Sequence, residues 1–534
     1  MSDQPNPPHA EPTLVVRDEA TIPADETTLA DVKQFGLWAA IASLSYVFWV
    51  VGGMEMVERL AYYGVRAVAT LYASRPVTQG GLGVTMTTFG TLLLCWNLVQ
   101  SLVPIFTGGL SDRYGYKQTI FASTILKALG YLVMAWFHSF GGFFAGAMLL
   151  AFGTAIFKPG IQGTLIRAST RRNSSMAWGI FYQTVNIGGW IGPLIALHMR
   201  STIGWKYVFY TNAAFICFNF LLLATYREPG KADRLARRQR IREGKEKERN
   251  LALESLAELK KPHLALYLAI FSIWWLMFPM LWDVLPKHVE DWVNTAPMVK
   301  FLFGPDGTQN GFWKFFLGMD PNGQTIQPEG IVNINAGMIM LTCFIFAGLS
   351  AKMRATTSLF VGTLFIIAAL ALFGLTNLVG FAVLAMIIFS IGEMLASPKF
   401  SEFLGNIAPA DKKAMWIGFS QAPILLGWTI EGKLGPWLYD IFSSKDEISR
   451  HVLLQHGLST AEISKHALPV GEAFNKLVQV TGQTPEALTK MLYQSHNVGL
   501  TWIIFAIIGV ASAFMIYAYG QWILKLARQQ AVTR

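Results

Sequence analysis

The chain of 534 residues is 53% hydrophobic and only 14% charged, with a mean hydropathy of +0.39. That composition excludes a soluble globular domain and fits an all-α polytopic membrane protein. The net charge of +10 does not mark a nucleic-acid binder, because twelve Lys/Arg against seven Asp/Glu fall in residues 227–263, between two apolar stretches, as in a cytoplasmic loop.

Residues 1–33 are polar, Pro-rich and net acidic, and read as a disordered cytoplasmic tail without a cleavable signal. Apolar segments of spanning length then recur at about 37–72, 84–107, 118–138, 141–166, 176–199 and 204–226. They resume at about 264–286, 331–351, 356–376, 378–404, 414–439 and 497–524. Twelve spans put both termini on one side. The basic clusters at Arg113/Lys117, Arg167/Arg171/Arg172, the 227–263 segment, Lys352/Arg354, Lys412/Lys413 and Lys525/Arg528 all fall on that side, which is therefore the cytoplasm. The expected organisation is a six-helix bundle over 34–226, a basic cytoplasmic linker over 227–262 and a second six-helix bundle over 263–534. An outward loop at 287–330 and a polar outward insert at 441–495 interrupt the second bundle. Within the insert, 459–467 and 485–493 read as helices, since Ser459 with Glu462 has capping-box spacing and Pro485 suits a first helical position.

The two halves echo each other. Gly109-Leu110-Ser111-Asp112-Arg113 after span 2 returns as Gly348-Leu349-Ser350-Ala351-Lys352 after span 8, the repeat logic of a secondary transporter.

Span 1 carries Glu55, Glu58 and Arg59. A charge at a bilayer centre costs roughly 3 kcal/mol or more, so it marks a functional position by default. The three are i, i+3 and i+4 on one helical face, which Tyr62 and Arg66 continue. Glu55 can pair with Arg59, leaving Glu58 as a candidate proton carrier. Lys158 in span 4 and Glu393 in span 10 are lone opposite charges six spans apart. A pair bridging the halves offsets their desolvation; a snorkelling lysine and a cavity-lining glutamate are the alternatives. Cys95, Cys217 and Cys343 lie in apolar stretches and offer neither a disulfide nor a metal site. No metal, nucleophile or phosphate-loop spacing occurs among the spans, so neither an enzyme nor a cofactor is expected.

Gly108-Gly109-Leu110-Ser111-Asp112-Arg113-Tyr114-Gly115-Tyr116-Lys117 resembles the loop 2–3 signature of the major facilitator superfamily, with Gly108, Asp112, Arg113, Gly115 and Lys117 as its motif positions. Glu55-Met56-Val57-Glu58-Arg59, then Tyr62-Tyr63-Gly64-Val65-Arg66-Ala67, resembles the Glu-x-x-Glu-Arg…Tyr-Tyr-Gly pattern of the proton-coupled oligopeptide transporter family. Gly153-Thr154-Ala155-Ile156-Phe157-Lys158-Pro159, Phe181-Tyr182-Gln183-Thr184-Val185-Asn186-Ile187-Gly188 and Gly392-Glu393-Met394-Leu395-Ala396-Ser397-Pro398 resemble its span 4, 5 and 10 patterns, in order.

The resemblance implies a proton-coupled importer of di- or tripeptides, monomeric, multi-pass and in the cell (inner) membrane. Glu55, Glu58 and Arg59 would couple the proton, which loads Glu58 or its neighbour, and substrate would meet Arg59, Tyr62, Tyr63, Lys158, Tyr182, Asn186, Asn335 and Glu393. Lys158 with Glu393 would form the inner gate. The family's span 7 acid is missing from Trp274-Trp275-Leu276-Met277-Phe278-Pro279-Met280. Asp283, one turn on and beyond a Pro279 kink, is expected to meet Arg66 as a displaced outer gate, unless it pairs with Lys287 at i+4. Another small solute (an amino acid, nitrate, a drug-like amphiphile) and a transporter-fold sensor are the alternative readings.

Overall fold

The computed structural model describes residues 37–170, 173–243, 258–351, 353–407, 416 and 419–532. The tail 1–33 therefore lies outside the described residues, as does much of the basic linker, of which Lys231–Arg242 is helical. Among the described residues the chain is helical throughout, without a β-strand beyond two isolated bridges. Nine helices among the described residues are long and apolar enough to cross a membrane. Helices at Tyr46–Ser74, Pro328–Ala351 and Gln421–Phe442 occupy the other expected positions, and the first of these carries the charge cluster.

The first half comprises α1 (Leu37–Ala42), α2 (Tyr46–Ser74), α3 (Met86–Tyr114), α4 (Tyr116–Trp136), α5 (Phe140–Ala168), α6 (Ser174–Thr202) and α7 (Trp205–Ala224). The first expected span is thus broken after Ala42. Ser45 restarts it as an N-cap, its hydroxyl accepting from the Phe48 amide. Thr85 and Ser139 cap α3 and α5 in the same way, supplying an acceptor to an amide that the helix leaves orphaned. Gly115, at φ +118°, makes the abrupt turn from α3 into α4.

After α8 (Lys231–Arg242), the second half begins with α9 (Pro262–Trp275). The expected seventh span does not run through: it breaks over 276–279 and resumes as α10 (Met280–Asp283) and α11 (Leu285–Trp292). Pro279 and Pro286 both remove amide donors here. The expected loop 287–330 contains the end of α11 together with α12 (Ala296–Phe303) and α13 (Gly311–Phe316). Then follow α14 (Pro328–Ala351), α15 (Ala355–Leu375), α16 (Val379–Ile407) and α17 (Gln421–Phe442). The insert forms α18 (Lys445–Gln455), α19 (Ala473–Thr481) and α20 (Pro485–Ser495) before α21 (Leu500–Val532).

In the insert, residues 459–467 are turns rather than the expected helix. The capping-box bonds form, with the Ser459 amide donating to Glu462 (2.8 Å) and the Glu462 amide to Ser459 Oγ (3.3 Å). Pro469 follows too closely for the turn to propagate into a stable helix. The insert has its own apolar core, in which Ile448, Leu453, Leu477, Leu488 and Leu492 pack with Trp292.

Small residues set the tightest helix contacts, as in other membrane bundles. A Cβ on Gly130 of α4 would meet the Gly146 carbonyl of α5 at 2.8 Å, and one on Gly362 of α15 would meet the Gly392 carbonyl of α16 at 2.6 Å. The same contact thus recurs between the third and fourth long helices of each half. Between halves, α3 packs on α17, α6 on α14, and α2 on α10 and α11.

Candidate functional site

The charged face of α2 is enclosed. Glu55, Glu58 and Arg59 are all at least 95% buried. Arg59 Nε lies 3.2 Å from Glu55 Oε1 and 2.5 Å from Glu58 Oε2. Glu58 is not left free: its other oxygen takes Lys127 Nζ of α4 at 2.6 Å. Lys127 is itself 1% exposed and sits over the Phe157 ring at 3.9 Å. Two carboxylates, a guanidinium and an ammonium form a neutral quartet inside the first half. Lys127 escaped the sequence reading, although a single lysine inside the apolar 118–138 segment was its signal.

Neighbouring residues on a helix point about 100° apart, so Tyr62 and Tyr63 cannot share one destination. Tyr62 turns to α3, where its hydroxyl donates to Gln100 Oε1 (3.2 Å) and its ring meets Trp96 edge-on. Tyr63 turns to the gap between the halves. There a cavity of about 140 Å³ is lined by Tyr63, Tyr182 and Asn186 from the first half and by Asn335, Glu393 and several aromatic residues from the second. Trp275, Trp282 and Trp428 supply most of that aromatic wall. Glu393 accepts from Asn335 Nδ2 at 2.9 Å, and the same nitrogen donates to Ser390 Oγ at 3.1 Å. Of the expected substrate residues, Arg59, Tyr62 and Lys158 do not line this cavity.

The expected Lys158–Glu393 pair is not formed, since no ion pair joins these two described residues. Lys158 on α5 is exposed and has no ion-pair partner among the described residues, while Glu393 is satisfied by an asparagine. Near this depth the halves still meet once, where Gln183 Nε2 of α6 donates to the Met340 carbonyl of α14 at 2.5 Å. Gly115 and Lys117 of the loop motif are described, and Lys117 Nζ donates to the Tyr226 carbonyl (2.8 Å). The surroundings of Gly108 and the side chains of Asp112 and Arg113 lie outside what is described.

At the opposite end, reached by the C-terminus of α2, the halves are tied repeatedly. Arg66 Nη2 lies 2.6 Å from Asp283 Oδ1, with both side chains nearly fully buried. The break in the seventh span brings Asp283 here, and Thr70 Oγ1 bonds the Trp282 and Asp283 carbonyls beside it (3.0 and 3.2 Å). Lys287 pairs with Glu290 and Asp291, both at 2.9 Å, and not with Asp283. Arg75 Nε meets Glu290 Oε1 at 2.5 Å. Arg200 grips Glu329 through two nitrogens at 2.5 and 2.8 Å, the planar fork geometry of a strong charge-assisted contact. Asp440 of α17 caps α3 from across the interface, accepting from the Met86 and Thr87 amides at 3.2 and 2.6 Å. Burial would raise the Glu290 carboxyl, but Lys287 and Arg75 outweigh it and hold it down at about 2. The ties beyond Arg66–Asp283 were not legible from sequence, because their residues sit at helix ends, where charges are ordinary.

The family model for the Major Facilitator Superfamily matches residues 59–430. Among curated relatives, the chain is 28% identical over 203 residues to the uncharacterized transporter YclF of Bacillus subtilis (strain 168), covering 37% of this chain and 39% of that one. It is 30% identical over 161 residues to the peptide transporter YePEPT of Yersinia enterocolitica, covering 29% and 31%. With dipeptide and tripeptide permease A of Escherichia coli (strain K12) it shares 28% over 167 residues, covering 30% and 32%. Each alignment spans well under half of the relative's own length. Among solved structures, a mutant of peptide transporter POT superposes with a TM-score of 0.60 at 15% identity, covering 92% of this chain and 98% of that one. A POT family transporter bound to a thioalcohol-conjugated peptide gives 0.62 at 15% identity, covering 89% and 96%. At these identities the superpositions establish the fold.

Proposed function

The chain belongs to the Major Facilitator Superfamily, and from that premise we propose that it is a proton-coupled secondary transporter importing di- or tripeptides by alternating access. The observation that carries this reading is the cavity between the halves. Glu393 and Asn335 stand in its wall from the second half and Tyr63, Tyr182 and Asn186 from the first, while Lys158 is an exposed cation of the first half. That arrangement suits a zwitterion, whose ammonium would meet Glu393 and Asn335 and whose carboxylate would meet Lys158. The names of the peptide-transporting relatives support the same cargo.

With the basic clusters facing the cytoplasm the tied end is the outer one, and the proposal reads this as a state closed to the outside. Closure of the inner end would bring Lys158 and Glu393 together while Arg66 and Asp283 part. The peptide bridges the two charges during that exchange, so neither is left bare in a closed, dry cavity. Glu58, held by Arg59 and Lys127, would take up a proton only as one of those contacts loosens.

Uptake into proteoliposomes tests the proposal, using a panel of dipeptides beside single amino acids and nitrate, each with and without an inward proton gradient. Accumulation of dipeptides that collapses with the gradient supports it. Gradient-driven uptake of a different solute alone keeps the fold and replaces the cargo.

A further inference from the structure

Glu431 lies in the middle of α17 and is 0% exposed. Among the described residues neither of its carboxylate oxygens has a hydrogen-bond donor. The carboxyl of Asp283, also 0% exposed, lies within hydrogen-bonding reach of it instead. Arg66 closes the group from the other half, 2.6 Å from Asp283. Among the described residues no further charged side chain pairs with either carboxyl. From α3 come Leu93 and Asn97, which lie against Gly432, and Asn97 Nδ2 is committed to the Trp428 carbonyl at 2.8 Å. Met280 and Val284 lie against Gly435. His288 of α11 faces Tyr439 and Trp502.

Two carboxylates and one guanidinium sum to minus one. An uncompensated charge in this dry setting costs several kcal/mol, and two carboxylates side by side offer each other acceptors but no donor. One bound proton removes both penalties. It neutralises the trio and supplies the missing donor between the carboxyls. We propose that Glu431 and Asp283 hold one exchangeable proton against Arg66, making the closed outer lock a proton site. Asp283 touches the arginine and stays ionised, so the proton resides on Glu431 and is donated to Asp283. Both carboxyls belong to the second half and Arg66 to the first. Opening of the outer end therefore exposes the acid pair to outside water, where the proton is loaded, and closing seals it against Arg66. This role rests on the transport reading above and supplies a carboxyl for the coupling step from a helix that the sequence motifs left unused.

The test uses the full chain. Infrared difference spectra of the purified protein in lipid, taken between pH 6 and pH 9, report protonated carboxyl groups through their C=O stretch. The parent is expected to show one such band near neutral pH, lost in Glu431→Gln and altered in Asp283→Asn. In proteoliposomes supplied with dialanine, Glu431→Gln is expected to lower gradient-driven accumulation about tenfold relative to counterflow exchange in the same preparation. A parent without a protonated carboxyl band overturns the proposal, and this needs no variant to fold. So does an unchanged band, or an unchanged ratio of accumulation to exchange, in Glu431→Gln. A parent that shows the band yet fails to accumulate dialanine keeps the proton site and removes the transport reading instead.

Discussion

Glu58 is held by two cations from two helices, Arg59 at its side and Lys127 from α4. Removing Lys127 leaves a buried carboxylate half-satisfied, so Lys127→Ala is expected to cost about 3–5 kcal/mol. Neutralising both partners, as in Glu58→Gln with Lys127→Met, is expected to recover more than half of the thermal stability lost, read as the melting midpoint in one detergent. A double variant no better than the single one would mean that Glu58 does not depend on Lys127. At the end where the halves are tied, Glu290 behaves differently from the acid pair at Glu431. Its carboxyl is depressed to about 2, so its stabilising contribution is full above the ordinary carboxylate range and fades only as pH falls through about 2. The tie to Arg75 is therefore indifferent to pH between 5 and 8. Glu290→Gln is expected to weaken outer closure by about 2 kcal/mol, equally at pH 5 and pH 8. Spin-label distances across that end would check it, and a pH-dependent difference would count against the assignment. The charges of span 1 were legible because they are anomalous in an apolar stretch. Lys127 and Glu431 are equally anomalous but stand alone, without a helical neighbour to form a pattern, and their partners lie on other helices. Sequence spacing carries no information about such contacts.

Among the elements, the long apolar helices were readable because hydropathy and length settle them. The broken seventh span was readable only in part. Pro279 marks the kink, yet the stop at Trp275 and the continuation to Trp292 follow from packing against α2, α14 and α17. The insert was the least readable, since its helices are short and owe their stability to one another. Its core makes a separate test possible. Leu488 is fully buried in the cluster with Leu453 and Leu477, and Leu488→Ala is expected to cost about 2–4 kcal/mol. The loss should appear as faster amide exchange in α18, α19 and α20, with the exchange of α2 to α7 unchanged. Equal acceleration in both regions would show that the insert is no separate cooperative unit.

For the whole molecule, the closed end is covered by the insert as well as tied by charges. Thr78, in the loop after α2, bonds Glu472, and a Cβ on Gly471 would meet Pro76 at 2.6 Å. The insert therefore reaches from the second half onto the first, and the proposed opening of this end would have to part them. Thr78→Cys with Glu472→Cys, in a chain lacking Cys95, Cys217 and Cys343, is expected to lose transport when joined by a short thiol linker and regain it on reduction. Full transport while linked would mean that the insert moves with both halves. The neutral quartet on α2 and α4 has an electrical consequence. A membrane potential does work only on net charge that changes depth, about 2.3 kcal/mol per elementary charge per 100 mV. If the first half rocks as proposed, the quartet travels as a sum of zero and the field finds almost nothing there to pull. In the proposed cycle the voltage sensitivity then falls on Lys158 and Glu393, neither of which has an ion-pair partner among the described residues, and on the proton proposed for Glu431 and Asp283.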